Sequence, residues 1–307
     1  MQEHSEEKKQ AQERIVTGKI IRGVGGFYYV DVNGEGVYEC RARGIFRKEK
    51  MKPLVGDNVR ISIQDEKEME GSVDEILPRF SQLIRPAAAN IDQVLLVIAA
   101  ADPDPNFNLV DRYLIYMRRQ NIPVRILLNK ADLVSPERLH TYASWYERSG
   151  SEVFAASILR EEGLEPVLEQ LQGRTTMLAG PSGVGKSSLT NALAGDCTME
   201  VGEISRRIRR GKQTTRHTQL LRIGENAFLL DTPGFASLFL PQMAPGELSA
   251  CYPEFAPYEE RCRFQGCAHI SEPECAVKEA LERNEIPRIR YENYAAFLEE
   301  LRAMRRY

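Results

Sequence analysis

The run Gly180-Pro181-Ser182-Gly183-Val184-Gly185-Lys186-Ser187 stands downstream of the tetrad Asn129-Lys130-Ala131-Asp132, and this order narrows the possible folds more than any other feature. A phosphate-binding loop needs glycines that let backbone N–H groups turn inward, a lysine for the outer phosphates and a hydroxyl for Mg²⁺. Lys186 and Ser187 supply the last two, and Ser188 follows them. The surroundings agree: Thr175 to Ala179 is a short apolar strand, and Ser188 to Leu193 reads as a helix whose N-terminus faces the anion.

Val124 to Leu128 has the pattern of a buried strand, so the tetrad sits at a strand's carboxyl end, where open α/β sheets bind ligands. There the Asp132 carboxylate can accept from guanine's ring N–H and exocyclic amine, a donor pair that adenine lacks. Asn129 can brace the loop or the base, and the Lys130 stem can lie over the purine face. A further apolar strand, Phe228-Leu229-Leu230, ends in Asp231-Thr232-Pro233-Gly234. Its carboxylate can hold a metal-bound water, and the Gly234 N–H can reach a terminal phosphate. The three elements thus run base reader, phosphate loop, metal-side Asp, whereas ordinary small GTPases place the base reader last. A sheet tolerates this when its original termini are joined and new ends open elsewhere. The expected core is a circularly permuted P-loop GTPase domain, and the loop after Asp231 leads from it into the C-terminal segment.

Cys262-x4-Cys267-x-His269-x5-Cys275 gathers three thiols and an imidazole into fourteen residues. That donor set matches the tetrahedral N/S preference of structural Zn²⁺, with every position filled and none left for substrate. Disulfides fit poorly, since no secretory leader is read at the start and Cys40, Cys197 and Cys251 are scattered. No apolar run has the length of a membrane span, so a cytoplasmic monomer with no membrane partner is expected. Net charge is −3, so nothing global argues for a nucleic-acid partner. Two local basic runs, Arg206 to Lys212 and Arg41 to Lys52, can meet phosphate backbones or simply form solvated faces.

The chain is read as a multidomain α/β protein. Residues 1–14 form a polar tail. Residues 15–84 carry five short β segments punctuated by glycines, which suits an OB-like β-barrel for RNA; an SH3-like barrel fits the strand count equally. Residues 85–240 form the permuted G domain, with Arg85-Pro86 as the linker into the strand Ile91 to Ala99. Residues 241–307 form a zinc-binding helical module that ends in a helix from Tyr291 to Arg305.

The barrel, permuted G domain and Cys/His module in this order, with Asn90-Ile91-Asp92-Gln93, the Asn129 tetrad, the Gly180 loop, Asp231-Thr232-Pro233-Gly234-Phe235 and the cysteine spacing, resemble the RsgA (YjeQ/YloQ) family of small ribosomal subunit biogenesis GTPases. The resemblance runs from about Ile15 to the end. It implies a ribosome-stimulated GTPase that acts late in small-subunit maturation, touches its ribosomal RNA and binds GTP or GDP with Mg²⁺. Ser157 joins the expected nucleotide contacts. One departure stands out: the family's switch segment reads Gly-x-His-Thr-Thr, and here it is Gly211-Lys212-Gln213-Thr214-Thr215-Arg216-His217. The attacking water is then oriented by Gln213, by His217 or by the ribosome, and Thr214 or Thr215 completes the Mg²⁺ shell. Two rival readings are a metabolic P-loop kinase, which Asp132 opposes, and a non-catalytic RNA scaffold, which the intact Lys186, Ser187 and Asp231 oppose.

Overall fold

Apolar residues alternate along the N-terminal part, and they form β1 (Arg14–Val24), β2 (Phe27–Val32), β3 (Gly36–Ala42), β4 (Asn58–Asp65) and β5 (Glu70–Ile76). The computed structural model describes residues 14–44, 46, 51–197, 218–231 and 238–304, and the chain divides into two units. In the first, Ile20, Val30, Val32, Tyr38, Cys40, Val59, Ile61 and Val73 point inward and make a closed core. Strand β1 pairs antiparallel with both β2 and β4, while β3 runs parallel to β5, closing the barrel in the order β1-β2-β3-β5-β4. That closure is the OB-type Greek key, so register decides what strand count leaves open. Two short strands, β6 (Gln82–Leu83) and β7 (Ala88–Ala89), pair beyond the barrel, and this unit extends through Asn90.

The second unit holds a six-stranded sheet: β8 (Gln93–Ala99), β9 (Val124–Asn129), β10 (Val153–Ala155), β11 (Thr175–Ala179), β12 (Leu220–Gly224) and β13 (Ala227–Asp231), in the order β10-β9-β8-β11-β13-β12. The first five of that order are parallel. Every residue of β8 and β11 is buried, as expected for strands covered on both faces. Helices α1 (Phe107–Arg118), α2 (Pro136–Ser144), α3 (Glu165–Leu171) and α4 (Lys186–Cys197) connect them. Asn106 caps α1 by accepting from the Leu109 N–H at 3.0 Å, and Phe107, Val110, Leu114 and Met117 recur at helical spacing on its buried side.

The C-terminal helices α5 (Ala256–Glu259), α6 (Ala276–Glu282) and α7 (Arg288–Met304) belong to this same unit. Helix α7 starts three residues before its expected position, because Pro287 stands at its N-terminus, where a missing N–H breaks no bond. Leu248, Phe255, Val277, Tyr294, Phe297 and Leu301 form one apolar cluster with Ile115 of α1. Beside it Arg290, 1% exposed, pairs with Glu254 at 2.7 Å and with Asp111 of α1, and Asn293 donates to Asp111 at 2.8 Å. Arg112 forks onto Glu300 at 2.6 and 3.0 Å. Among the described residues no helix is long and apolar enough to cross a membrane.

Candidate nucleotide site and metal centre

Strand β11 gives way to the loop at Gly180, which passes so close to β8 that a Cβ there would lie 2.0 Å from the Val97 carbonyl oxygen. With φ at +131°, that position admits only glycine. Gly185 is equally constrained: φ is +100°, and a Cβ would stand 2.2 Å from Nδ2 of Asn129. Val184 anchors the loop in the core, and α4 begins at Lys186. The Lys186 ammonium is buried under the loop and donates to the carbonyls of Gly180 at 2.8 Å and Pro181 at 2.5 Å. Ser187 and Ser188 are exposed in the first turn of the helix, at its N-terminal, anion-favouring end.

The tetrad at the end of β9 is tied to that loop. Asn129 donates from Nδ2 to the Val184 carbonyl at 2.7 Å, and its Oδ1 accepts from the Ile158 N–H at 3.1 Å. Both contacts brace the loop. Lys130 adopts the left-handed region, φ 60°, and its ammonium donates to the Asp102 carbonyl in the loop after β8. Asp132 lies in a short 3-10 turn, Ala131–Leu133. Its carboxylate is held below the usual range chiefly by the nearby Ser157 hydroxyl, against the cost of desolvation, with its own main-chain N–H and the Arg160 guanidinium adding to the effect. Ser157 is itself 1% exposed and pairs back to back with Glu162.

In the C-terminal part the ligand atoms of Cys262, Cys267, His269 and Cys275 all lie within 4.8 Å of one another. Nδ1 of His269 is 3.4 Å from the Cys275 sulfur and 3.7 Å from that of Cys262, and the two sulfurs are 3.9 Å apart. Donors at zinc bonding distance around a tetrahedral centre stand about 3.4–3.8 Å from each other, so the four residues fit such an ion. The remaining imidazole nitrogen faces Glu259 at 3.3 Å, and Tyr291 donates to the His269 carbonyl at 2.5 Å. Burial raises the Cys267 and Cys275 thiols, and a bound cation is what makes thiolates tenable there.

The family model described as the RsgA GTPase matches residues 76–241, and that of the RsgA N-terminal domain matches residues 17–71. The small ribosomal subunit biogenesis GTPase RsgA of Agathobacter rectalis is 49% identical, covering 95% of this chain and 100% of its own. That of Alkaliphilus metalliredigens is 45% identical over 94% of this chain and 99% of its own. Among solved structures, YloQ, a circularly permuted GTPase, superposes with a TM-score of 0.79 at 35% identity, covering 97% of this chain and 98% of that one. YjeQ from Thermotoga maritima gives 0.77 at 32%, covering 94% and 99%.

The chain belongs to the RsgA GTPase family. In chain order, its circularly permuted GTPase domain accordingly follows an OB-type barrel and precedes a Cys/His cluster able to hold zinc. In this RsgA member the structure brings together Asn129, Lys130, Asp132, Ser157 and the loop from Gly180 to Ser188. Asp231 closes β13 with its backbone paired to Leu178. Gln213, Thr214, Thr215, His217, Gly234, the basic run Arg206 to Lys212 and the side chain of Asp231 lie outside the described residues. Sequence reasoning missed Arg160, whose Nε is 3.2 Å from Asp132, and Glu259 behind His269. Neither sits in a motif; only their charge beside a functional residue signalled them.

Proposed function

We propose that this chain binds GTP and GDP through Asn129, Lys130, Asp132, Ser157 and the Gly180 to Ser188 loop, and hydrolyses GTP during late maturation of the small ribosomal subunit. The observation that carries the reading is the bond from Asn129 to the Val184 carbonyl, which fastens the base-reading tetrad to the phosphate loop. The reaction is in-line attack of water on the γ-phosphorus, helped mainly by positioning and electrostatics. Lys186 neutralises charge on the outer phosphate oxygens, and the loop N–H groups hold them in place. Ser187, with Asp231 through a water and Thr214 or Thr215, would hold Mg²⁺, which would supply further positive charge there. Gln213, His217 or the ribosome orients the attacking water.

The partners of this reading are the small ribosomal subunit and its RNA, met in the cytoplasm by a monomer, with one structural Zn²⁺ at Cys262, Cys267, His269 and Cys275. The names of the RsgA relatives support the ribosomal role. The barrel supports RNA contact: Arg41 lies 4.7 Å over the Phe27 ring and Arg22 lies 5.4 Å over that of Tyr29, pairing cation with stacking surface. GTP turnover measured with and without purified small subunits tests substrate, activity and partner together. Stimulation is expected, and Lys186→Ala should abolish it while leaving zinc content unchanged; a rate indifferent to added subunits sinks the ribosome-stimulated reading.

A further inference from the structure

An open pocket of about 660 Å³ lies between the loop after β8, the start of α1 and helix α2, all within the second unit. Its size falls within the roughly 300–1,000 Å³ of ligand pockets. Phe107, Tyr142 and Trp145 line it, with ring centroids 4.9, 4.8 and 5.3 Å apart and planes inclined by 58°, 82° and 50°. Phe107 and Tyr142 are buried and join α1 to α2. Core packing accounts for those two rings, but not for Trp145, which stands half-buried at the C-terminal cap of α2 and borders the pocket.

The polar side of the pocket is acidic. Asp104 and Glu137 line it against one cation, Arg138, and neither carboxylate has an ion-pair partner among the described residues. The Arg138 guanidinium is already placed: its Nε donates to the Tyr142 hydroxyl at 2.7 Å, and its Cζ lies 5.6 Å from the centre of that ring. One aromatic ring here thus holds a guanidinium, while the indole, the best cation–π surface among side chains, carries none among the described residues. Glu137 lies in the first turn of α2 and offsets the positive end of that helix. A phosphate backbone would meet the wrong charge.

We infer that this pocket seats an arginine side chain from a basic peptide segment of a partner protein. The guanidinium plane stacks on Trp145, and its N–H groups reach Asp104 and Glu137. A lysine ammonium, compact and strongly hydrated, gains less from the ring and cannot fork between carboxylates. Nothing in this contact depends on the nucleotide.

Trp145 is the single tryptophan of the chain, so its emission reports on the pocket directly. The full chain is titrated with an acetylated, amidated Gly-Arg-Gly-Arg-Gly peptide, with its citrulline counterpart, which keeps the shape and loses the charge, and with a short oligouridylate. A saturable change in emission is expected with the arginine peptide, and binding about tenfold weaker with citrulline. Anisotropy of a labelled arginine peptide should show affinity lowered about fivefold by Asp104→Asn with Glu137→Gln, and about tenfold by Trp145→Leu. The two carboxylates are exposed, so their near-isosteric exchange decides the matter even if Trp145→Leu does not fold. No saturable change below about 1 mM, equal binding of the citrulline peptide, or wild-type affinity in the carboxylate variant would overturn the assignment. A response of Trp145 to the RNA and not to the peptide would overturn it too, and would make the pocket a base-stacking site.

Discussion

At the scale of single residues, the nucleotide site is held by positions that allow no side chain and by one that needs its charge. Gly185→Ala would drive a methyl into Asn129 Nδ2 and force a left-handed alanine, a strain of about 1–3 kcal/mol. We expect a lower unfolding midpoint in urea together with weakened GDP binding, because the hydrogen bond from Asn129 to the Val184 carbonyl breaks first. Asp132 titrates below its ordinary value, so its ionised form contributes above the unfolded value and is lost only as pH falls through the depressed one. Base-dependent nucleotide affinity should therefore stay level from neutrality down to about pH 4, read by GDP titrations at fixed ionic strength.

At the scale of elements, the metal centre and the α1–α7 junction carry separable loads. Glu259→Ala removes the carboxylate behind His269, and zinc affinity should fall about 10–100-fold in a chelator competition, with GDP affinity unchanged. Arg290→Met leaves the buried Asp111 and Glu254 carboxylates without their shared cation, which should cost about 3–5 kcal/mol in denaturant unfolding. These elements also show what was legible in advance. The strands and the phosphate loop were readable because each depends on local pattern: apolar runs of strand length, glycines at fixed offsets, cysteines a few residues apart. Barrel type was not, since β3 lies parallel to β5 through pairing that no local window contains. Arg290 looked like one more basic residue of a helical tail. Its partners are 36 and 179 positions away, and only the folded chain brings them to it.

At the scale of the whole molecule, the order of the motifs proved the most durable guide, because it follows from connectivity and not from any one side chain. A parallel sheet read β10-β9-β8-β11-β13 puts the base-side strands and the phosphate-side strands shoulder to shoulder regardless of which half the chain writes first. Removal of zinc should loosen the cysteine-bearing segment while the sheet keeps its far-ultraviolet signal, since the Arg290 ion pairs and the apolar cluster on α1 do not pass through the metal. The clasp between α1 and α7 has a practical corollary for anyone trimming the protein. A chain ended near residue 241, where the GTPase family match stops, would bare Ile115 and strand Asp111 without its cation. Such a shortened form should bind hydrophobic dyes and elute from gel filtration as aggregate, so the catalytic core of this enzyme has to be handled with its tail attached.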